Sequence, residues 1–420
     1  MATHLEEVFR TQDIAAMVGV ATDVVDIPSE TGFEGPIGDY VAGRFAELGC
    51  RVTLQEVEEG RNNVIARWGG QKPGPTLMFL AHFDTTTNPG EDLPRGYQPH
   101  AIVEDDWIYG LGISNMKCAF AGFWSALQML NDAEVELPGE ILMCGVVGEI
   151  EKAPVDIWQG KRYRGGGAGA RSLMNHGVTA DFCINGEPTA LRLQTGNAGY
   201  LFIRIGIKGS PQHTYAKDRS IDPFPKAFHV HQALMEWEST YQGLHPHPLM
   251  KPLISVGGIY GGYPFKPSIT APFCNLYVHV NTVPGQSIRG TKHEIEELLR
   301  RLQEEDPELE TSVDIYLASN GYEIEDSHPA ATAMAEAHRA VFGEEVPRPN
   351  PERYSVSSDN SPLFEFGIPG ITYGAGGINL SGEYSMYEPG IGEVVKIDNL
   401  AACSRVYAAA AIRLLSGGEG

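Results

Sequence analysis

Residues 75–86 read PTLMFLAHFDTT. From Leu77 to Ala81 the run is wholly apolar, so neither side of a strand built from it tolerates water. Such a segment must be covered on both faces, the condition of a central strand in a parallel sheet. It then stops abruptly at His82, Phe83 and Asp84. Two further segments have the same form. GEILMCGVVGE (139–149) ends in Glu149, and DFCI (181–184) runs on into Asn185-Gly186-Glu187-Pro188. Helical patterns alternate with these strands, as in GPIGDYVAGRFAELG (35–49), where Gly49 is a plausible stop. The N-terminal HLEEVFRTQDIAAMVGVATDVV has helical spacing throughout. Strand-helix alternation predicts an α/β fold with a mixed central sheet and chemistry at the carboxyl ends of its strands.

From about Thr195 the texture changes. GYLFIRIGIKGS, PFCNLYVHVNTVPG and TSVDIYLAS read as strands. DPFPKAFHVHQALMEWESTYQ and GTKHEIEELLRRLQEE read as helices, giving a small two-layer α/β unit. After about Asn320 the first texture returns, ending in the Ala-rich helix NLAACSRVYAAAAIRLL. The expected organisation is a catalytic domain over 1–194 and 320–420, interrupted by a smaller domain over 195–319. A chain of 420 residues is long enough for two cores.

A formal charge of −23 argues against nucleic acid and acidic membrane surfaces as partners. No apolar run approaches the roughly 18–20 residues that a membrane span requires. The acidic N-terminus reads as mature protein and not as a signal peptide. Six scattered cysteines without a CxxC pair suit free thiols in a reducing cytoplasm.

Taken singly, the polar strand ends are ambiguous. His82 and Asp84 stand two apart and so point the same way, as a metal-bound histidine and its orienting carboxylate would. They also suit an ordinary turn. Glu149 reads as a general base, a ligand or a solvated charge. Pro188 would stiffen the loop presenting Glu187. The order is more telling: strand-HxD, then the Gly-rich turn GLGISNMK opening a helix, then strand-GExE, then strand-GEP. All four offer polar groups to one rim of one sheet.

These segments resemble those of the zinc-dependent metallohydrolases that include aminoacylase, acetylornithine deacetylase, succinyl-diaminopimelate desuccinylase and carboxypeptidase G. AHFDTT, GLGISNMKCAFAG, VVGEIEKA, INGEPT, IKGSPQHTY and SSDNSPLFEFGIPGITYGAGG all match motifs of that family. The resemblance implies that the inserted domain mediates homodimerisation and lids the site, with a higher homo-oligomer as an alternative. It implies that His82 and Glu187 bind a metal and that Asp84 orients His82. Glu149 would be the general base toward water on the metal. His213 would reach across the dimer to stabilise the oxyanion. A small-molecule substrate follows from a lidded cleft, which also disfavours an endopeptidase.

The pattern departs from the family at the second metal. The bridging Asp before Met-Lys is Asn115. The second Glu of the Glu-Glu pair is Ile150, with Glu151 one residue late. No histidine follows His338, and the late segment offers Glu383 and Glu388. The lid strand that usually ends in a carboxylate-reading Arg ends in Asn281. Every ligand peculiar to the second metal is gone. The expectation is therefore one divalent transition metal per chain, manganese or zinc, with the Asn115 oxygen as third ligand.

Tyr260 and Tyr263 in GGIYGGYPFKPS could hold an aromatic ring or be lid core. Asp359 in VSSDN either lies at the substrate cleft or caps the helix SPLFEF. Lys117 is expected at the site edge. The expected activity is metal-dependent hydrolysis of a C–N bond in a small carboxylated molecule. The departures favour an aromatic aminohydrolase taking 5-nitroanthranilate to 5-nitrosalicylate and ammonia. The alternatives are an N-acyl amino acid deacylase or amidase and a non-catalytic binding paralogue. Retention of Glu149, Asp84 and His213 counts against the last.

Overall fold

The computed structural model describes residues 2–86, 94–351 and 356–417. The chain forms two compact units. The first comprises Met1–Gly196, Ile324–Pro349 and Ser358–Gly420; the second comprises Asn197–Glu323 and Asn350–Ser357.

A six-stranded sheet organises the first unit, in the order Arg51–Glu58, Arg61–Gly69, Glu140–Val146, Thr76–His82, Phe182–Asn185, Gly370–Thr372. The last four strands are mutually parallel and the first two antiparallel, so the sheet is mixed. Thr76–His82 lies inside it, and every residue from Leu77 onward is buried, as its apolar run requires. The helices Cys118–Asp132 and Ile397–Leu415 cover one face. Phe79 stacks on Phe123 with ring centroids 4.8 Å apart and meets Tyr407 at 5.7 Å. The alanines at 408–411 are all fully buried in this layer.

Register decides where the chemistry goes. His82 lies opposite Val146, and Asn185 lies opposite both Leu80 and Thr372. The parallel strands therefore end nearly level, and the residues that follow them share one rim.

The N-terminal helical pattern is broken into Ala2–Arg10 and Ile14–Asp26. Asp13 causes the break: its carboxylate accepts the Ala16 amide at 2.9 Å, capping the second helix. The helix Ala168–Asn175 was hidden in the sequence by the glycines preceding it.

The second unit is an antiparallel sheet in the order Ile254–Gly261, Phe273–Thr282, Gly199–Lys208, Thr311–Ser319. Leu201, Ile203, Ile205 and Ile207 alternate inward and pack with the helices Pro223–Leu244 and Ile288–Glu305. Side chains cap both helices: Asp222 accepts the Phe224 amide and Ser287 the Gly290 amide, each at 3.0 Å. Ile254–Gly261 was not evident as a strand, because Gly257 and Gly258 dilute its pattern. Pairing with Phe273–Thr282 supplies its order, with an irregularity between Val256 and Gly258. No helix among the described residues is long and apolar enough to cross a membrane. All six cysteines are buried and unpaired.

Candidate metal centre

Phe83 sets the aim of its neighbours. Its ring stacks on Phe120 at 4.9 Å and lies over Gly145, where a Cβ would fall 2.2 Å from Phe83 Cζ. Only glycine leaves room for that ring. With Phe83 held on one side, His82 and Asp84 take the other.

His82, Glu149 and Glu187 are all buried, and each brings a ligand atom within 4.8 Å of the other two. His82 Nε2 lies 3.7 Å from Glu149 Oε2 and 3.7 Å from Glu187 Oε1. The same nitrogen is 3.1 Å from Asn115 Oδ1. The opposite nitrogen, Nδ1, is 3.5 Å from Asp84 Oδ1.

Asp84 does more than face His82. Its Oδ1 accepts the Glu149 amide at 2.9 Å, while Oδ2 accepts the Ile150 amide at 3.2 Å and the Thr31 hydroxyl at 2.8 Å. It thus holds the loop that carries Glu149. Burial opposes its charge, yet His82, Thr31 and the Glu149 amide keep its carboxyl below the usual range. Thr31 sits in a loop anchored by Glu34, which accepts the Gly32 amide and two guanidinium bonds from buried Arg61.

The neighbouring carboxyls respond in the opposite direction. Burial, then the charges of Glu187 and Asp359, push Glu149 well above the usual range. Burial also raises Glu187, with Asp84 and Glu151 adding to the effect against His82. Burial works against an imidazolium at His82, but Asp84, Glu149 and Glu187 override it and raise its pKa well above the ordinary value. Buried negative charge at Asp84, Glu149, Glu187 and Asp359 thus surrounds one imidazole. An imidazole nitrogen and carboxylate oxygens converging in a surplus of negative charge fit a divalent cation. His82, Glu187 and Asn115 are the residues that would hold it, with Glu149 beside them.

Asn115 does not open a regular helix. It lies in the kinked turn Ile113–Lys117, with non-helical backbone angles of φ −121° and ψ 94°. Gly112, at φ +82°, makes the left-handed entry that a side chain would resist. The turn is gripped from behind by Glu393, which the sequence reading missed. Its Oε1 accepts the Gly112 amide at 2.9 Å, and its Oε2 accepts the amides of Ser114 at 3.0 Å and Asn115 at 2.9 Å. Pairing of Val394 with Tyr109 delivers Glu393 to this place. Nothing local marks it out from the other late glutamates.

Several expectations are corrected. Glu388 holds its own loop by accepting the Leu380 amide at 2.7 Å, and Glu383 is exposed; neither joins the metal group. Lys117 is buried and donates to the Ile27 carbonyl at 2.9 Å. Burial brings its pKa down to about 7. Asp359 precedes the helix Asn360–Glu365, but its side chain makes no cap hydrogen bond. Ile150 is buried, and Glu151 is only half-buried.

The remaining candidates lie in the second unit. His213 is exposed, with its ring 4.8 Å from Tyr215. Tyr263 is 44% exposed and stacks on Phe265 at 5.3 Å, while Tyr260 is half-buried against Phe273 at 5.7 Å. Asn281 is buried; its carbonyl accepts the Tyr241 hydroxyl at 3.0 Å.

The model of Peptidase family M20/M25/M40 matches residues 78–413. The chain belongs to this family. An acetylornithine deacetylase from Aliivibrio fischeri is 26% identical to this M20 protein over 305 residues, covering 71% of this chain and 74% of the relative. A tripeptidase from Staphylococcus aureus shares its fold, with a TM-score of 0.72 at 19% identity over 96% of this chain and 99% of that one. So does a dinuclear metal-binding M20 peptidase from Bacillus subtilis, with a TM-score of 0.65 at 16% identity over 96% and 98%. The M20 protein described here is a hydrolytic enzyme.

Proposed function

We propose that this M20 enzyme hydrolyses a C–N bond in a small carboxylated molecule, using one divalent metal ion per chain. The observation that carries this reading is the convergence on His82 Nε2 of two buried carboxylates, Glu149 and Glu187 at 3.7 Å each, and the neutral amide oxygen of Asn115 at 3.1 Å. His82, Glu187 and Asn115 hold the ion, manganese or zinc. When bound, a divalent cation there supplies Lewis acidity and brings the pKa of water to roughly 7. Asp84 orients His82 through Nδ1 and fixes Glu149 through its amide. Glu149, 3.7 Å from His82 Nε2, takes a proton from the attacking water and returns it to the departing nitrogen.

Within that reaction class, the favoured substrate is 5-nitroanthranilate, giving 5-nitrosalicylate and ammonia. A single ion supports it, because a one-metal site has less Lewis acidity than a two-metal site and suits a ring whose nitro group itself stabilises the addition product. Tyr260 and Tyr263 would contact the ring, and Asn281 and Asp359 its polar groups. N-acyl amino acid deacylation is the second reading, supported by the similarity to acetylornithine deacetylases. The second unit is proposed to form the homodimer, with exposed His213 serving the neighbouring protomer's site.

The test is a panel of 5-nitroanthranilate and N-acyl amino acids, scored for ammonia and for acetate release with manganese and with zinc. Metal is counted on the active protein. Ammonia release at one ion per chain is expected. Acetate release alone, or full activity only with two tightly held ions, would refute the favoured reading.

A further inference from the structure

Both carboxylate oxygens of Asp359 are buried, and neither has a hydrogen-bond partner among the described residues. The same is true of the amide nitrogen and oxygen of Asn185, whose residue is 1% exposed. Leaving such groups unpaired costs the full penalty of desolvation, so two of them together call for a ligand.

The two belong to one place. Asn185 ends the strand Phe182–Asn185, on the same side as Cys183 by strand alternation. The Cys183 thiol reaches Asn360 Oδ1 at 3.6 Å, so that side faces the helix that Asp359 precedes. Asn360 Nδ2 in turn donates at 3.0 Å to Thr372 Oγ1, and Thr372 is the register partner of Asn185. Asp359 also closes on Gly167, where a Cβ would lie 3.1 Å from its Oδ1. Its charge is felt at His82, Glu149 and Glu187. Yet Asp359 is not among the groups whose ligand atoms converge within 4.8 Å, so it lies beside the metal group and not in it.

We propose that Asp359 and Asn185 form the subsite that binds the hydrogen-bearing nitrogen of the substrate's scissile C–N bond. The subsite holds three acceptor oxygens and one donor group, so it selects a ligand rich in N–H. A carboxylate is repelled there by Asp359 and Glu187, and binds elsewhere. The assignment rests on the C–N hydrolase reading and narrows its substrates to those with at least one hydrogen on that nitrogen.

Calorimetry on the manganese-loaded enzyme tests it with two matched pairs: anthranilate against benzoate, and N-acetylalanine against its ester isostere O-acetyllactate. The wild type should prefer the nitrogen compound of at least one pair by roughly ten- to a hundredfold, the range of a hydrogen bond to a charged group. Asp359→Asn and, separately, Asn185→Ala should reduce that preference. Affinity for the partner lacking N–H, and manganese bound per chain, should be unchanged; these also verify folding. No preference in either pair, no binding of either nitrogen compound, or a preference that survives Asp359→Asn overturns the subsite. Loss of manganese in Asp359→Asn also overturns it, by making Asp359 a metal ligand. A preference without turnover of either nitrogen compound leaves the subsite standing and refutes C–N hydrolysis.

Discussion

Glu149 and Glu187 approach His82 Nε2 from the loops that follow two parallel strands; Asn115 approaches it from the turn Ile113–Lys117. The strand side puts its negative charge at the front, on the atoms that face the imidazole. The turn side puts a neutral amide at the front and its carboxylate, Glu393, behind the backbone. Three amides of the turn point back at Glu393, so that charge fixes the shape of the turn and is spent on backbone dipoles. Charge that ligates and charge that positions are thus separated across the centre.

The largest expected effect tests the division of labour within the strand side. Glu149→Gln should lower kcat on the order of 10²–10⁴-fold, the usual contribution of a general base. Bound metal should stay at the wild-type level. If the variant loses metal in proportion to activity, Glu149 is a ligand, and the strand side supplies every charged donor without a separate base.

The strand side was also the side legible in the sequence. Apolar runs with abrupt polar ends locate His82, Asp84, Glu149 and Glu187, because a buried parallel strand leaves its signature in consecutive residues. The two helices and three of the four strands of the second unit's sheet were legible for a similar reason, alternation and spacing being local properties; Gly257 and Gly258 hid the fourth. The turn side was not. Glu393 reaches the turn through pairing between strands far apart in sequence, and its neighbours Glu383 and Glu388 have the same composition around them. The conformation of Asn115 depends on that distant carboxylate. The burial of Lys117 was not legible either, because nothing local says that Ile27 supplies its acceptor. For Asp359 the sequence left substrate cleft and helix cap open, because Asp before a helix is usually a cap; its side chain makes no cap hydrogen bond.

Asn115→Asp tests the turn side from the front. A carboxylate opposite Glu187 should tighten manganese binding by roughly tenfold or more, about 1.4 kcal/mol per decade. It should not produce a second tightly held ion, because Ile150 and the absence of a late histidine are unaltered. Equilibrium dialysis returning two ions per chain would show that one neutral residue alone kept the centre mononuclear. Glu393→Gln tests the same side from behind. One amide oxygen cannot replace two carboxylate oxygens toward three N–H groups. Manganese affinity should fall about tenfold, the lower end of what an outer partner contributes. Unchanged affinity would mean that Asn115 does not hold the ion.

The smallest expected effect is on the pH slope of stability. Burial pushes the Glu393 carboxyl up to about 7, despite its three amides, and brings the Lys117 ammonium down to about 7, despite Glu393. Between pH 4.5 and 7 folded Glu393 keeps a proton that the unfolded chain has lost, so its contribution to stability falls as pH rises. Between pH 7 and 10.5 the unfolded chain keeps the Lys117 proton that the folded state has lost, so stability rises again, by up to about 1.4 kcal/mol per pH unit. The metal-free enzyme should therefore show a dip in its urea midpoint near neutrality. Lys117→Met should delete the rise above about pH 7 and leave the fall below it. Working without metal keeps the strand-side carboxylates, which titrate against the ion, out of the difference between the two proteins. A variant that retains the wild-type rise would show that Lys117 is not its source, because the raised Glu149, Glu187 and His82 of the strand side make stability fall with pH. Folded Lys117 would then keep its proton through neutrality, held by its bond to the Ile27 carbonyl.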